Sequence, residues 1–338
     1  MTGSDPYLFS TISGVAVDPA GRIYAVDYQT DEIRVFDAAG EFLRVFGGSG
    51  EGPGEIGRAC CPGWDAEGRL WVREVTNRRY SAFDVSGPEP EFAHSQPVSH
   101  PGAGLWARTT FDIAGRLVDV GPPRGGGIDA RVRYHVTADG VVDSSEVIPS
   151  PPNEEIGMHT VERSGPDGPS IWFVYQPFGP RHLIAHGPAG RWATSISSEY
   201  RVDLHRPDGT VVEILRPGER GPELTAEERA RGEEAMEADR ERLSASLPYG
   251  LPDRKPPLQE LFFDDTGRLW VERNVIGDRR LADVYDDGGA MVARYEWPAR
   301  VRVGIWGWAS RGMLVGITRD SLDVERIARV RFPSDGGR

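Results

Sequence analysis

Lysine is almost absent from this chain of 338 residues, because Lys255 is the only one and arginine supplies the rest of the 39 basic side chains. Acidic side chains number 52, which gives a formal net charge of −13. Proteins that neutralise phosphates do so with clustered positive charge, and an acidic excess of this size argues against it. We therefore expect no nucleic-acid partner.

Long hydrophobic runs are also missing. No stretch approaches the roughly 20 apolar residues of a membrane-spanning helix, and the opening Met-Thr-Gly-Ser-Asp-Pro has neither the basic nor the hydrophobic region of a signal peptide. The sequence thus predicts no membrane span, and either a cytoplasmic protein or one whose leader has been trimmed. Cysteine is scarce, since only the adjacent Cys60 and Cys61 occur, and such a pair cannot form a disulfide framework.

Glycine, proline and tryptophan are plentiful by contrast. There are 42 Gly, 27 Pro and 9 Trp, and 38% of the residues are hydrophobic. This mixture is typical of many turns that join aromatic-rich strands. It excludes a helical bundle and wholesale disorder, while the length alone allows one large domain or two ordinary ones.

A short phrase recurs along the chain: an apolar run, a turn with Asp and Gly at fixed offsets, and a second apolar run. The six turns begin at Asp18, Asp65, Asp112, Gly187, Asp264 and Ala309. Each phrase is followed by a second hairpin signal, such as Asp139-Gly140 or Asp208-Gly209. Four antiparallel strands in about 45 residues, repeated six times, predict an all-β fold, a six-bladed β-propeller. We expect the repeated Asp and Gly to be structural, because Gly supplies positive φ and Asp accepts bonds from turn amides.

Two spacings between repeats are longer than the others and predict insertions at about 149–181 and 216–259. The first insertion contains a hairpin-like segment at 160–175. Six units and two insertions account for the length, so we expect a single domain over 1–338 with both insertions on one face.

The second insertion contains the one clear helix of the sequence. Thr225-Ala-Glu-Glu228 is a capping box, and the helix is expected to run to about Leu247, before Pro248-Tyr-Gly250. Its apolar stripe is thin, mainly Met236, Leu243 and Leu247. We therefore predict a surface helix between blades 4 and 5.

The repeats resemble those of NHL-repeat proteins, in particular bacterial six-bladed propellers. The likeness is carried by Asp18–Asp27 with Ile33–Phe36 and Gly50–Glu55, and again by Leu261–Val271 and Leu322–Val330. Many such proteins are secreted or lipid-anchored, so the resemblance implies an extracytoplasmic location, periplasmic or secreted. It implies little about activity, because propellers support many chemistries.

Propellers of this group usually close by adding an N-terminal strand to the last blade, which covers exposed sheet edges. Only about a dozen residues, including Tyr7-Leu-Phe9, precede the first repeat here. We expect either a minimal closure or a missing upstream segment.

The connections between blades and the middle loop of each blade gather at one mouth of a propeller channel. Because both insertions are interblade connections, we call it the decorated mouth and predict that it binds a small molecule, peptide or glycan. The candidate ligand-binding residues lie in these connections: Cys60, Cys61, Arg108, His159, Trp172, Tyr175, Arg181 and Lys255.

The cysteine pair has three possible roles. Cys60 and Cys61 could be small buried residues, a vicinal disulfide that presents an apolar plate to a ligand, or thiols that bind a soft metal or act as nucleophiles. The sequence does not choose between these roles.

A divalent metal, calcium, magnesium or zinc, is a possible cofactor. Carboxylates and amides near the ends of second strands suit calcium or magnesium, and His159 and His182 are the histidines that fall in or beside an insertion. The candidate metal ligands are Glu74, His159, His182, Glu199, Glu272 and Asn274. A purely structural role for the carboxylates is the alternative.

Three functions are compatible with these features. The first is a scaffold that binds a ligand or partner, and the second is a metal-dependent lyase or lactone hydrolase with a metal on the channel axis. The third is a protein-interaction platform with an aromatic rim at Trp172, Phe173, Tyr175 and Phe178. No serine elbow, zinc-protease histidine pair or dinucleotide fingerprint occurs, so whether the protein is an enzyme stays open. A monomer is expected.

Overall fold

A computed structural model describes residues 5–98, 107–124, 130–165 and 168–333, without the side chains of 163–165, 168 and 169. Its strands form six antiparallel blade sheets in chain order, each starting from its inner strand, and one separate two-stranded sheet. The predicted six-bladed β-propeller is therefore confirmed. Blades 1 to 3 contain β1 (Ile12–Val17), β2 (Ile23–Asp27), β3 (Glu32–Phe36), β4 (Phe42–Gly47), β5 (Ala59–Trp64), β6 (Leu70–Glu74), β7 (Arg79–Asp84), β8 (Glu91–Pro97), β9 (Thr110–Phe111), β10 (Leu117–Gly121), β11 (Ala130–Val136) and β12 (Val142–Pro149).

The remaining strands form an inserted hairpin and blades 4 to 6. They are β13 (Met158–Gly165), β14 (Gly168–Tyr175), β15 (His182–His186), β16 (Trp192–Ile196), β17 (Arg201–His205), β18 (Val211–Leu215), β19 (Leu258–Phe263), β20 (Leu269–Arg273), β21 (Arg279–Tyr285), β22 (Met291–Pro298), β23 (Trp308–Ser310), β24 (Met313–Arg319) and β25 (Glu325–Arg331). The helix α1 (Ala226–Leu243) lies between blades 4 and 5 as predicted.

The repeated turn owes its shape to its aspartate. The carboxylate of Asp18 accepts the backbone N–H of Arg22 at 2.8 Å and the Nε–H of the same residue at 2.5 Å, while Gly21 adopts a φ of 83°. The turns at Asp65, Asp112 and Asp264 make the same two bonds to the arginine four residues on. In these turns the Asp and Gly therefore have the structural role that the repeats suggest.

The hydrophobic core lies between neighbouring blades. Blades 1, 2 and 6 share one apolar cluster, in which Val15 packs with Leu70 and Trp308. Trp270 and Trp297 are fully buried in the cluster between blades 5 and 6. The aromatic side chains of the sequence thus fill the spaces that open as the blades diverge from the axis.

Blade 6 departs from the four-strand pattern. Its described strands are β23, β24 and β25, and the inner strand is interrupted, because Arg302 pairs with Ile317 before β23 begins at Trp308. The seam to blade 1 is joined by hydrogen bonds, from Val15 N–H to the Trp306 carbonyl at 2.9 Å and from Ile12 N–H to Glu325 at 2.7 Å.

The two insertions contact each other. Leu243 of α1 packs with Val161 and Val174 of the hairpin and with Leu247. The helix begins at the predicted capping box, in which Thr225 and Glu228 exchange bonds at 3.0 and 3.2 Å. It ends at Leu243 rather than near Leu247, because Ser244 adopts a left-handed φ of 50° and the following residues turn back onto the hairpin.

No helix within the described ranges has the length and apolar character needed to span a bilayer.

Candidate functional site

A large cavity, lined by residues that the structure describes, opens at the mouth opposite the insertions. We call this the turn-side mouth, because the turns between first and second strands surround it. The cavity measures about 950 Å³, and all six blades contribute to its wall. Its polar rim includes Asp18, Asp65, Asp112 and Asp265. Its aromatic lining is formed by Trp64, Phe111, Phe263 and Trp308.

Arg108 forms the floor of this cavity. It enters from blade 3, and its guanidinium donates to the Gly307 carbonyl on the opposite side of the axis and to the Phe263 carbonyl at 3.4 Å. The guanidinium also lies 4.8 Å from the ring centre of Trp308. Burial lowers the pKa of Arg108 to about 10, although Asp265 and Asp264 act to raise it. Arg108 therefore crosses the channel as a charged group that is only partly exposed.

A second, smaller cavity of about 50 Å³ lies beside Arg108 in the channel. Arg131 of blade 3 and His186 of blade 4 line it, together with the backbone at Gly304 and Ile305 of the broken strand in blade 6. Burial lowers the pKa of Arg131. Burial and then the charges of Arg133 and Arg131 lower the pKa of His186 to about 3, so its imidazole is neutral at physiological pH.

Asp265 stands at the rim of the turn-side mouth. The cavity wall removes part of the water around its carboxylate, and this partial desolvation together with the neighbouring Asp264 raises the pKa of Asp265 to about 6, against the opposing effect of Arg108. The side chain remains exposed. The cavity thus combines an exposed carboxylate at its entrance with a cation at its floor.

The decorated mouth holds a groove of about 760 Å³. It is lined by Pro149–Pro151, His182 and Glu199 among others, so two of the predicted metal ligands meet there. His182 bonds the Thr194 hydroxyl at 2.8 Å, and burial and then Arg131 lower its pKa to about 4. Glu199 is exposed.

The other predicted metal ligands do not join this pair. Both oxygens of Glu74 are engaged, one by Arg79 Nε at 2.8 Å and the Ser81 hydroxyl, the other by Gly57 N–H and Asn77. Glu272 accepts Arg280 Nη1 at 2.5 Å, and its other oxygen is buried without a partner.

Asn274 and His159 are also held by neighbours. Asn274 donates its amide to the Pro256 and Leu258 carbonyls at 2.9 and 3.2 Å, and His159 stacks on Tyr249 with ring centres 4.6 Å apart. Within the described parts of the chain, no three His, Cys, Asp or Glu side chains come together as a metal site. The predicted donors therefore do not fit a shared metal.

The predicted ligand-binding residues are divided between several places. Arg181 donates to the carbonyls of Gln176 and Pro180 at 3.0 and 2.8 Å and lies over the ring of Tyr175. Lys255 forms an ion pair with Glu228 at 2.7 Å. This ion pair joins the first turn of α1 to the end of the same insertion.

The hairpin exposes aromatic side chains on β14. Trp172 lies 42% exposed under Arg242 of α1, while Phe173 and Tyr175 are 46% and 52% exposed. The fourth residue of the predicted aromatic rim, Phe178, contacts the helix near Gly232.

Cys60 and Cys61 are joined by a disulfide bond and are both buried in β5. The carbonyl of Cys61 accepts the N–H of Thr109 at 3.0 Å and its hydroxyl at 2.6 Å. The vicinal disulfide thus supports the residue next to Arg108 rather than presenting a plate to solvent.

Sequence reasoning missed Arg131 and His186, and it assigned Arg108 to the decorated mouth together with the insertions. Arg131 carried no signal, because it follows a connection with no repeat motif. His186 could have been identified from its position directly before the turn at Gly187, because this makes it the last residue of an inner strand, next to the channel.

Comparison with known proteins gives the fold only. No family model matches the chain, and no curated protein is similar to it. Among solved structures, a Bacteroides fragilis protein thought to be exported is 9% identical, with a TM-score of 0.51 over 98% of this chain and 94% of that one. A calcium-binding regucalcin of Agrobacterium tumefaciens is 13% identical, with a TM-score of 0.40 over 98% and 95% of the two chains. Virginiamycin B lyase of Staphylococcus aureus is 12% identical, with a TM-score of 0.39 over 97% and 88%.

Proposed function

We propose that the protein binds a small organic molecule in the cavity at the turn-side mouth. The observation that carries this proposal is the cavity itself: about 950 Å³ on the axis, with wall residues from every blade. Small-molecule sites are concave, largely apolar and furnished with a few convergent polar groups. Four aromatic side chains around Arg108 meet that description.

The proposal moves the predicted binding site from the decorated mouth to the opposite one. The groove at the decorated mouth is lined mostly by polar residues, of which Ser198, Glu199 and Arg201 are exposed. The wall of the turn-side cavity includes the half-buried rings of Trp64 and Phe111, and a ligand that removes their remaining surface from water would gain binding free energy there.

A pair of matched blocking variants tests this choice. Ser310→Trp places a bulky side chain in the turn-side cavity, and Ser198→Trp places the same side chain in the decorated groove. A panel of neutral, carboxylated and phosphorylated metabolites is screened by ligand-observed NMR. We expect binders of the wild type to be lost in Ser310→Trp and kept in Ser198→Trp. The reverse pattern would return the site to the decorated mouth, and a panel without any binder would contradict the proposal.

A protein partner is the second candidate function, and one feature of the hairpin favours it. Ile171, Phe173 and Tyr175 alternate along β14 and are all exposed, by 61%, 46% and 52%. Three large apolar side chains on one sheet face are typical of an interaction surface. If the partner is a second copy, sedimentation will show a concentration-dependent dimer that Phe173→Ser abolishes; otherwise the expected monomer will be seen.

A metal-dependent lyase or lactone hydrolase receives no support from the donor set, because the predicted ligands are separated and largely engaged with protein groups. An extracytoplasmic location, which the resemblance implies, is part of the proposal. The bond between Cys60 and Cys61 supports it, since disulfides persist in oxidising compartments.

A further inference from the structure

Resting on the cavity proposed above, we infer that the channel floor is an oxyanion site in which Arg108 and Arg131 together hold a carboxylate, phosphate or sulfate group of the ligand. His186 lies beside them as a neutral hydrogen-bonding partner. The three side chains come from two blades and line the same small cavity.

Among the residues that the structure describes, neither of these two arginines is paired with a carboxylate, and Arg108 bonds only to carbonyl oxygens. Arg133, two positions from Arg131 on the same strand, shows the usual arrangement, because it pairs with Glu146 at 2.5 Å. An unpaired cation taken out of water is costly, and an anion between the two guanidiniums would remove that cost.

Nearby acids do not take this role. Asp264 is held by Arg268 at 2.7 Å, and Asp265 is exposed at the rim. Glu260 lies against Gly304 and accepts the Ile305 N–H. These three carboxylates adjust the local potential, yet none of them forms an ion pair with the guanidinium of Arg108 or Arg131.

The cavity has a suitable size and an unsatisfied polar atom. Its 50 Å³ is comparable to the volume of one or two water molecules, at about 30 Å³ each in the liquid, and so admits a small oxygen-bearing group. The Nδ1 atom of His186 is buried without a hydrogen-bond partner. A neutral imidazole can donate from one nitrogen and accept at the other, so it can donate to a bound oxyanion next to the two guanidiniums.

The connection to the larger cavity explains how such a group would be reached. Arg108, His186 and Phe263 line both cavities. A ligand whose body contacts the aromatic lining of the turn-side mouth would therefore direct its anionic end toward the floor. The inference thus narrows the ligand class to organic acids and to phosphate or sulfate esters.

Calorimetric titration with inorganic phosphate, sulfate and acetate, against chloride at equal ionic strength, tests the site without an organic ligand. We expect saturable binding of at least one oxyanion by the wild type, and a loss of affinity of about tenfold or more in Arg131→Gln, as expected for removing a charged hydrogen bond. Arg254→Gln is the matched control, because Arg254 pairs with Glu223 on the surface at the base of the helical insertion. Its affinity should equal that of the wild type.

Emission of Trp308 gives a second measurement that needs no arginine variant, because the ring lies against Arg108. We expect a saturable change on adding phosphate that the Trp308→Phe variant lacks. No oxyanion binding by the wild type, or unchanged affinity in Arg131→Gln, would overturn the inference. If no oxyanion binds but a neutral metabolite binds the wild type and not Ser310→Trp, this inference alone is wrong. If phosphate binds and no organic molecule does, the proposed function is wrong and the anion site remains.

Discussion

Replacing Glu272 by glutamine should change how the stability of this protein depends on pH. Glu272 is fully buried at the end of β20, accepts one bond from Arg280, and has its other oxygen without a partner. Burial and then the adjacent Glu260 raise its pKa from the ordinary 4.5 to about 7, although Arg280 acts in the opposite direction. The folded state therefore holds this proton more tightly than the unfolded state does.

The sign and size of the effect follow from linkage. A raised folded-state pKa contributes stability that is fully present below pH 4.5 and is lost as the pH rises through 7. The shift corresponds to about 3 kcal/mol of unfolding free energy. Glutamine cannot ionise, so the stability of Glu272→Gln relative to wild type should rise by about that amount between pH 4.5 and 8. Glu260 titrates together with Glu272, because each carboxylate disfavours the charge of the other.

Urea unfolding monitored by tryptophan fluorescence, at intervals from pH 4.5 to 8, provides the measurement. Groups other than this pair cancel in the difference between variant and wild type. Glu74→Gln is the matched contrast, since Glu74 ends β6 with both oxygens engaged and its replacement should destabilise the protein at neutral pH. A stability difference for Glu272→Gln that stays constant over the pH range, or that falls with pH, would refute the reasoning.

Three further outcomes are expected. Gly14→Ala should strongly lower the melting temperature, because a Cβ at this position, where φ is 154°, would lie 2.4 Å from Pro62. A melting temperature within a degree of the wild-type value would contradict this close approach. Leu243→Ala should lower the free energy of unfolding by about 2–4 kcal/mol and make the hairpin more sensitive to protease, because this side chain is buried between helix and hairpin. An unchanged rate of proteolysis would show that the two insertions do not stabilise each other. Thiol titration of the denatured protein without reductant should detect no free thiol from Cys60 and Cys61, and two after reduction; two at the outset would remove the disulfide.

The fold could be predicted from the sequence because its signal is local. The aspartate of each full repeat binds its own turn, as Asp18 does with Arg22, so the residues that define the turn are only four positions apart. The capping box of α1 is local in the same way. The interruption before β23 was missed, because it depends on the pairing of Arg302 with Ile317. The end of α1 at Ser244 was missed because the residues after it pack against the distant hairpin, although the cap itself is local.

The candidate site depends on a different kind of information. Arg108 precedes the inner strand β9, Arg131 lies at the start of the third strand β11, and His186 ends the inner strand β15. They meet only through the packing of blades 3 and 4, and their separations along the chain carry no pattern. The spacing of the repeats therefore predicts the blades, but it does not predict which residues line the floor of the channel.

Polar side chains at the decorated mouth are used to attach the segments that enter each inner strand. Asp27 accepts the N–H of Ser10 at 2.9 Å, Glu74 that of Gly57 at 3.2 Å, and Asn274 donates to the carbonyl of Pro256. In blades 1, 2 and 5, a polar side chain at or just after the end of the second strand thus binds the entering segment, which explains why carboxylates and amides recur there without forming a metal site.

The opposite holds at the channel floor, where charged groups are buried without a described counterion. The segment that leads into an inner strand has to be held in place, and the hydrogen bonds at the decorated mouth hold it. Nothing in blade geometry requires two arginines in the wall of one small cavity, and a hydrophobic plug would close the channel at lower cost. A chain with a net charge of −13 that nevertheless keeps unpaired cations on its axis has a feature that folding alone does not account for. An anionic ligand accounts for it.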